Sequence, residues 1–262
     1  MQFDFKTLLI ERPTDAILLL TLNRPAARNA INYTMMEELL FFWQTMHKNL
    51  KNIRCIIIIG KAPAFCAGAD LKERLALNLS EWKSQHAILR KAMLSMLDCP
   101  IPIIAAVNGA AFGGGLELVL ASDFAYAAST AIFSQSEVKI GIIPGALGTQ
   151  HLPRAVGLNR AKELTFTGRS FSAEEACAWG LVNQICDEAI LLKTVLTTAQ
   201  HICDNAPLAI IAAKKTLNFT QNGISMGFDH ELENYHAILT TKDREEGIRA
   251  FNEKRLPVFK GE

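Results

Sequence analysis

The chain has 262 residues, half of them hydrophobic and a fifth charged, with 27 basic against 26 acidic residues and a formal net charge of +1. That composition excludes intrinsic disorder, and the length allows one large domain or a domain with an appendage. A charge balance so close to zero supplies no global field for nucleic acid or an anionic membrane, so the ligand has to be read from local sites.

The opening MQFDFKTLLIER mixes charged with apolar residues and lacks the basic and apolar regions of a signal peptide. The most apolar stretch, 116–133, is interrupted by Glu117 and Asp123, so no membrane span is expected. A bacterial-type cytoplasm fits best, and a processed mitochondrial matrix protein would look the same. Residues 7–12 and 16–22 are short apolar runs around Pro13-Thr14-Asp15 and read as a hairpin. Residues 54–59 and 101–107 are unbroken, β-branched-rich runs of the kind buried on both faces of a parallel sheet. Between them lie helical patterns. Thr34 with Glu37 forms a candidate capping box for a helix running to about Asn49, and a second helix begins at Ser80 or Glu81 and ends before Cys99-Pro100. Ser172 with Glu175 repeats the capping signature, and residues 124–127, 131–133 and 182–186 are further strand candidates. The fold class is therefore α/β. From Ala189 onward helical periodicity takes over, with breaks near Pro207 and across 223–227, giving a core over 1–190 and a helical subdomain over 191–262 that packs on the core or on a partner.

Six cysteines at 55, 66, 99, 177, 186 and 203 form no CxxC pair and no zinc-type ladder, so neither a metal site nor a disulfide framework is indicated. The sequence has no GxGxxG, no GxxxxGK[ST] and no GxSxG, which leaves nicotinamide, nucleoside triphosphate and serine-hydrolase chemistry poorly supported. What remains are two glycine-bearing loops, 60–74 and 108–117, each following a buried strand and leading toward a helix. Such a junction presents unpaired backbone N–H groups at the carboxyl end of a strand, a geometry that favours anions. With Gly114 at a helix N-terminus, its N–H forms half of an oxyanion hole, and Glu117 lies one turn on along the same face. Glu137, alone in a polar segment, says little, but two carboxyls around one substrate can divide general-base and general-acid work.

At this point the sequence resembles the crotonase, or enoyl-CoA hydratase/isomerase, superfamily over essentially its whole length. The segments that carry the resemblance are LNRPAARNAI from Leu22, FCAGADLKER from Phe65, PIIAAVNGAAFGGGLELVLASD from Pro102, SEVKIGIIPGALGTQHLPRAVG from Ser136 and TKDREEGIRAFNEKRLPVFKGE from Thr241. Among subgroups it looks most like the one containing 3-methylglutaconyl-CoA hydratases. The resemblance implies a ClpP-like spiral of ββα units followed by a C-terminal helical region that makes trimers, commonly stacked as a hexamer. It implies that Ala69 and Gly114 supply the two oxyanion N–H groups for a thioester carbonyl, that Glu117 orients and deprotonates water, and that Glu137 delivers a proton at C2. The reaction it implies is hydration of a 2-enoyl-CoA in fatty-acid or branched-chain amino-acid degradation, with double-bond isomerisation as the alternative.

The same resemblance implies coenzyme A contacts from the loop at Ala67, Gly68, Asp70, Leu71 and Lys72, from Ala27 and Arg28, and from Phe251 and Lys254 on a basic C-terminal helix donated by a neighbouring subunit. Gly145 is implied beside Glu137 in the acyl pocket, whose walls are expected from the helix across 80–97 and from residues 142–147. Coenzyme A belongs to the substrate, and no separate cofactor is expected. Asp70 is expected to brace its loop, and Cys66 to act as a small apolar filler. Ser136, Ala146-Leu147 and His151 stand where the superfamily more often has proline, glycine and arginine, departures that bear on acyl preference. His151 is expected at the surface or an interface. The row of lysines by which some relatives bind AU-rich RNA is missing from residues 35–51, where lysine occurs only at 48 and 51, so no nucleic-acid partner is expected.

Overall fold

The computed structural model describes residues 3–48, 50, 52–219, 237 and 240–262. The first hairpin forms as the sequence suggests: β1 (Leu8–Glu11) runs antiparallel to β2 (Ile17–Leu22). β2 then pairs in parallel with β3 (Cys55–Gly60), β3 with β5 (Ile103–Val107), β5 with β7 (Phe124–Ala128) and β7 with β10 (Gln184–Cys186). The result is a six-stranded sheet in the order β1-β2-β3-β5-β7-β10. Its central strands are apolar without alternation because both faces are covered. Ile56 and Ile58 of β3 point into the main core with Leu20, Met93 and Leu116, whereas Cys55 and Ile57 point the other way, onto Leu191, Val195 and Ala199 of α8 (Glu188–Cys203). Burying each such side chain contributes about 1.5–3 kcal/mol.

A second sheet is built from very short strands, β4 (Ala64–Cys66), β6 (Ala110–Phe112), β8 (Ile132–Ser134) and β9 (Ser170–Ser172), in that order. β4, β6 and β8 are parallel, and β9 closes the edge antiparallel to β8. Each of the three parallel strands therefore ends at the same edge of the sheet.

The helices are α1 (Tyr33–Lys48), α2 (Leu71–Leu75), α3 (Leu79–Leu97), α4 (Gly114–Ala121), α5 (Gly148–Val156), α6 (Leu158–Thr167), α7 (Ala173–Ala178), α8, α9 (Pro207–Phe219) and α10 (Lys242–Glu253). Two start signals are corrected. The amide of Met35 takes its cap from Asn32 Oδ1 at 3.0 Å, so Thr34 lies inside α1 and the asparagine two residues earlier does the work. α3 begins at Leu79 behind Asn78, whose side chain and Glu81 satisfy each other's backbone N–H groups, so neither Ser80 nor Glu81 is the cap residue. Ser172 and Glu175 form the reciprocal capping box expected of them. The expected break across 223–227, and Lys51, lie outside the described residues. Among the described residues no helix is long and apolar enough to cross a membrane.

Candidate active site

Three segments that leave the short parallel strands meet in one cavity of about 740 Å³. After β4 the chain continues through Ala67, Gly68 and Ala69; after β6 it enters α4 at Gly113-Gly114; after β8 it reaches Glu137 through Gln135 and Ser136. Ligand-binding crevices lie outside the carboxyl ends of parallel strands for this reason: neighbouring strands deliver their loops to one place.

The backbone of the first two loops makes the anion site. Ile31 forms an isolated bridge beside Ala69, with its N–H donating to Gly68 O at 2.7 Å and its carbonyl accepting from Asp70 N at 3.0 Å. The bridge uses the groups on either side of Ala69, and the Ala69 N–H takes no acceptor among the described residues. Gly114 opens α4, where the first N–H groups have no intrahelical partner. The two amides lie close together: a Cβ placed on Gly114 would sit 3.9 Å from the Ala69 amide nitrogen. Two glycines make this approach possible. Gly113 holds φ at +50°, where a side chain is strained, and a Cβ on Gly115 would lie 2.1 Å from the Cys66 carbonyl oxygen. Asp70 braces the loop as expected, capping α2 through the Glu73 amide and pairing with Arg24 at 2.9 Å. Cys66 is fully buried, and burial pushes its thiol up to about 12, which leaves it an inert filler.

The carboxyls line the same cavity. Glu117, only 3 % exposed, sits one turn into α4, and its Oε1 accepts from the amides of Ala146 at 2.7 Å and Gly148 at 2.8 Å. Burial lifts its pKa from 4.5 to about 7; the two amides and Arg74 act against that rise, and Glu137 adds to it. Glu137 is also pushed above the usual carboxylate range by burial, with its own backbone and Gln135 opposing. Gln135 Nε2 donates to Glu137 Oε1 at 2.8 Å, while Glu137 Oε2 is buried and takes no hydrogen bond among the described residues. Two carboxyls raised by burial thus line one cavity, and the charge of Glu137 adds to the rise at Glu117.

Of the residues expected at the site, Ala67, Gly68, Ala69, Leu71, Gly114, Glu117, Glu137 and Gly145 line the cavity. Asp70, Lys72, Ala27, Arg28 and Lys254 do not line it. The amide of Ala67 donates to Arg28 O at 2.9 Å, which places Arg28, exposed and in a left-handed conformation at φ +49°, against the oxyanion loop. Lys72 and Lys254 are exposed, and the Phe251 side chain lies outside the described residues. His151 is half-buried on α5, where burial and Arg154 hold its pKa below the ordinary value.

Four further residues carry no individual signal in the sequence. Trp82, His86 and Leu89 line the cavity from α3, within the wall expected there, and Arg74 lines it from α2. Arg74 is 8 % exposed, lies 4.6 Å over the Trp82 ring and forms no salt bridge among the described residues. It stands at the end of the FCAGADLKER motif with nothing in the spacing to turn it inward.

Two loop amides and two carboxyls gathered in one cavity at the carboxyl edge of a parallel sheet are the features of an enzyme site. The comparisons give that class its family. The sequence matches the family described as enoyl-CoA hydratase/isomerase over residues 12–262. It is 41% identical over 251 residues to the enoyl-CoA isomerase/hydratase fer4 of Mycosarcoma maydis, covering 92% of each chain. It is 38% identical over 259 residues to the mitochondrial methylglutaconyl-CoA hydratase of Mus musculus, covering 97% of this chain and 82% of the relative. The crystal structure of an enoyl-CoA hydratase from Bacillus anthracis superposes with a TM-score of 0.96 at 39% identity, covering 98% of this chain and all of that one. The chain belongs to the enoyl-CoA hydratase/isomerase, or crotonase, family, and it is an enzyme.

Proposed function

We propose that the enzyme adds water across the 2,3 double bond of a 2-enoyl-CoA thioester to give a 3-hydroxyacyl-CoA. The carrying observation is that Glu117 and Glu137 line the same cavity as the Ala69 and Gly114 amides. The thioester oxygen accepts from the two amides, and drawing electron density onto it makes C3 electrophilic. Glu117, as the carboxylate, takes a proton from water as the water oxygen bonds to C3. Glu137, as the acid, gives a proton to C2 from the oxygen left free of protein hydrogen bonds. The carbonyl re-forms as the C2–H bond closes, so the thioester is unchanged and one water is consumed. Isomerisation moves a proton between C2 and C4 and needs one principal base. Keeping a second buried carboxyl at the cavity supports hydration.

Arg74 supports an acyl group that carries negative charge at its far end. A buried guanidinium that makes no salt bridge among the described residues, and feels Glu117 and Glu73 only through space, gains most when an anion reaches it, and Trp82 stacks against its plane. The 3-methylglutaconyl group has such a carboxylate. Coenzyme A contacts from Lys72, Arg28 and Lys254, with Phe251 stacking on adenine, and a trimer or hexamer in which the C-terminal helix reaches a neighbour's site, belong to the same proposal. Parallel ultraviolet assays on crotonyl-CoA and 3-methylglutaconyl-CoA test it. The expected result is loss of enoyl-thioester absorbance with both and a higher kcat/KM for the second. Turnover of 3-enoyl-CoA without any hydration would make the enzyme an isomerase.

A further inference from the structure

The imidazole of His86, on α3, approaches the Gly145 carbonyl oxygen with Nε2 at 2.9 Å. A carbonyl only accepts, so Nε2 carries the hydrogen and donates it. The Gly145 carbonyl and the Ala146 N–H belong to one peptide group. That N–H donates to Glu117 Oε1 at 2.7 Å. An unbroken line therefore runs from the imidazole N–H to the peptide oxygen, across the peptide plane to its N–H, and on to the carboxyl. Hydrogen bonds in such a chain polarise one another; here the link at the carboxyl is buried and the link at the imidazole is exposed.

The Ala146 side chain is buried in the core and the Gly148 amide is tied to Glu117, so the loop is anchored beyond Gly145, while His86 meets the carbonyl end of this peptide. Gly145 has no side chain, and a Cβ there would meet His86 Nε2 at 2.6 Å, so the imidazole occupies the space a larger residue would need. Leu147, two residues on, is left-handed at φ +79°, a conformation a leucine adopts only when its surroundings impose it. We propose that His86 is a positioning residue for Glu117: its donation to Gly145 orients and polarises the peptide whose N–H holds the carboxyl, coupling the α3 wall of the acyl pocket to the reacting group. This rests on the reading of Glu117 as the base. It adds that a side chain on the acyl wall, outside the reacting groups, sets the base's strength and placement. The charged or titratable groups facing Glu117 are Glu137 after β8 and Arg74 of α2, with His86 acting through the peptide and His151 of α5 meeting the far end of α4 at Leu120.

The experiment follows the Glu117 carboxyl by carbon-13 NMR in the unliganded full chain labelled at glutamate, with Glu117→Gln assigning the resonance. Wild type, His86→Leu, His86→Gln and Gly145→Ala are titrated, and kcat and KM for crotonyl-CoA are measured on the same samples. In His86→Leu the midpoint is expected to rise by about half a pH unit, and kcat to fall about tenfold with KM within about twofold. His86→Gln, whose amide can donate to the same carbonyl, recovers most of both. Gly145→Ala pushes the imidazole aside without removing it and shifts the midpoint in the same direction, which keeps the test valid if His86→Leu folds poorly. A midpoint that stays at the wild-type value in His86→Leu and Gly145→Ala, or that moves as far in His86→Gln as in His86→Leu, overturns the proposal. Equal turnover by wild type and Glu117→Gln would overturn the reading of Glu117 as base, while the titration still decides whether His86 governs it.

Discussion

The two sheets divide the work of the molecule. The six-stranded sheet is apolar on both faces, its strands reach six residues, and its side chains serve packing between α8 on one side and the main core on the other. The four-stranded sheet has strands of only three residues, yet the Ala69 and Gly114 amides and both carboxyls follow the ends of its three parallel members. A short parallel sheet gives up buried area and gains a common edge where three loops meet. The contrast teaches that the large sheet sets stability, whereas the small one sets geometry, and substitutions in the two should fail in different ways.

The largest expected effect is at the small sheet's edge. Glu117→Gln lowers kcat for hydration by about two to four orders of magnitude, since a positioned base contributes on that scale. Stability should move the other way. Because burial raises the Glu117 pKa from 4.5 to about 7, the folded state binds the proton more tightly than the unfolded chain. Its stability therefore falls as pH rises from about 4.5 to about 7, and ionisation costs the fold about 3 kcal/mol above that range. Urea denaturation at pH 8 should find Glu117→Gln at least as stable as wild type. A clearly less stable variant would mean that the amides of Ala146 and Gly148 compensate the buried charge in full.

Next in size is the join between the two loops. Gly115→Ala places a carbon 2.1 Å from the Cys66 carbonyl oxygen, so α4 must shift away from β4. A loss of about 1–3 kcal/mol in denaturant midpoint is expected, with activity falling together with it. Retention of both would show that the oxyanion edge tolerates displacement. Arg74→Met comes third. It should lower kcat/KM for 3-methylglutaconyl-CoA by roughly tenfold to a hundredfold and leave crotonyl-CoA within about threefold, since only the first substrate offers a carboxylate to the guanidinium. Equal losses on both substrates would assign Arg74 to loop structure. The smallest effect is expected at Leu147→Gly, which relieves the left-handed strain at φ +79°. A stability gain of about 1 kcal/mol or less in thermal melts is expected, because the added freedom of the unfolded chain offsets part of the relief.

How much of this was legible in the sequence differs between the sheets in the same way. Unbroken apolar runs at 54–59 and 101–107 announced the buried parallel strands, because burial on both faces leaves a compositional mark. The glycines at 113–115 with Glu117 marked a helix opening onto a loop site, since Gly113 has a positive φ and Gly115 meets the Cys66 carbonyl too closely for a side chain. Glu137 alone was an ordinary charged residue; only as a possible partner of Glu117 did it gain meaning, and the resemblance then supplied its implied role at C2. Arg74 and His86 carried no signal, because what makes them functional is the direction of a side chain across a cavity between elements distant in sequence. His86 meets Gly145 from 59 residues away. The caps at Asn32 and Asn78 were missed for a local reason: asparagine caps as well as serine or threonine, and the neighbouring Thr34 and Ser80 drew the start signal.

The most direct test of the central claim is the isotopic fate of the substrate. The enzyme would be incubated with crotonyl-CoA in oxygen-18 water and, separately, in deuterium oxide, and the product analysed by mass spectrometry for wild type, Glu117→Gln and Glu137→Gln. The expected product is a 3-hydroxyacyl-CoA carrying oxygen-18 at C3 from the first incubation and deuterium at C2 from the second, with both labels lost in step as either carboxyl is replaced. Deuterium entering the acyl chain with no oxygen-18 incorporated by the wild type would contradict hydration and leave a proton-shuttling isomerase on the same edge.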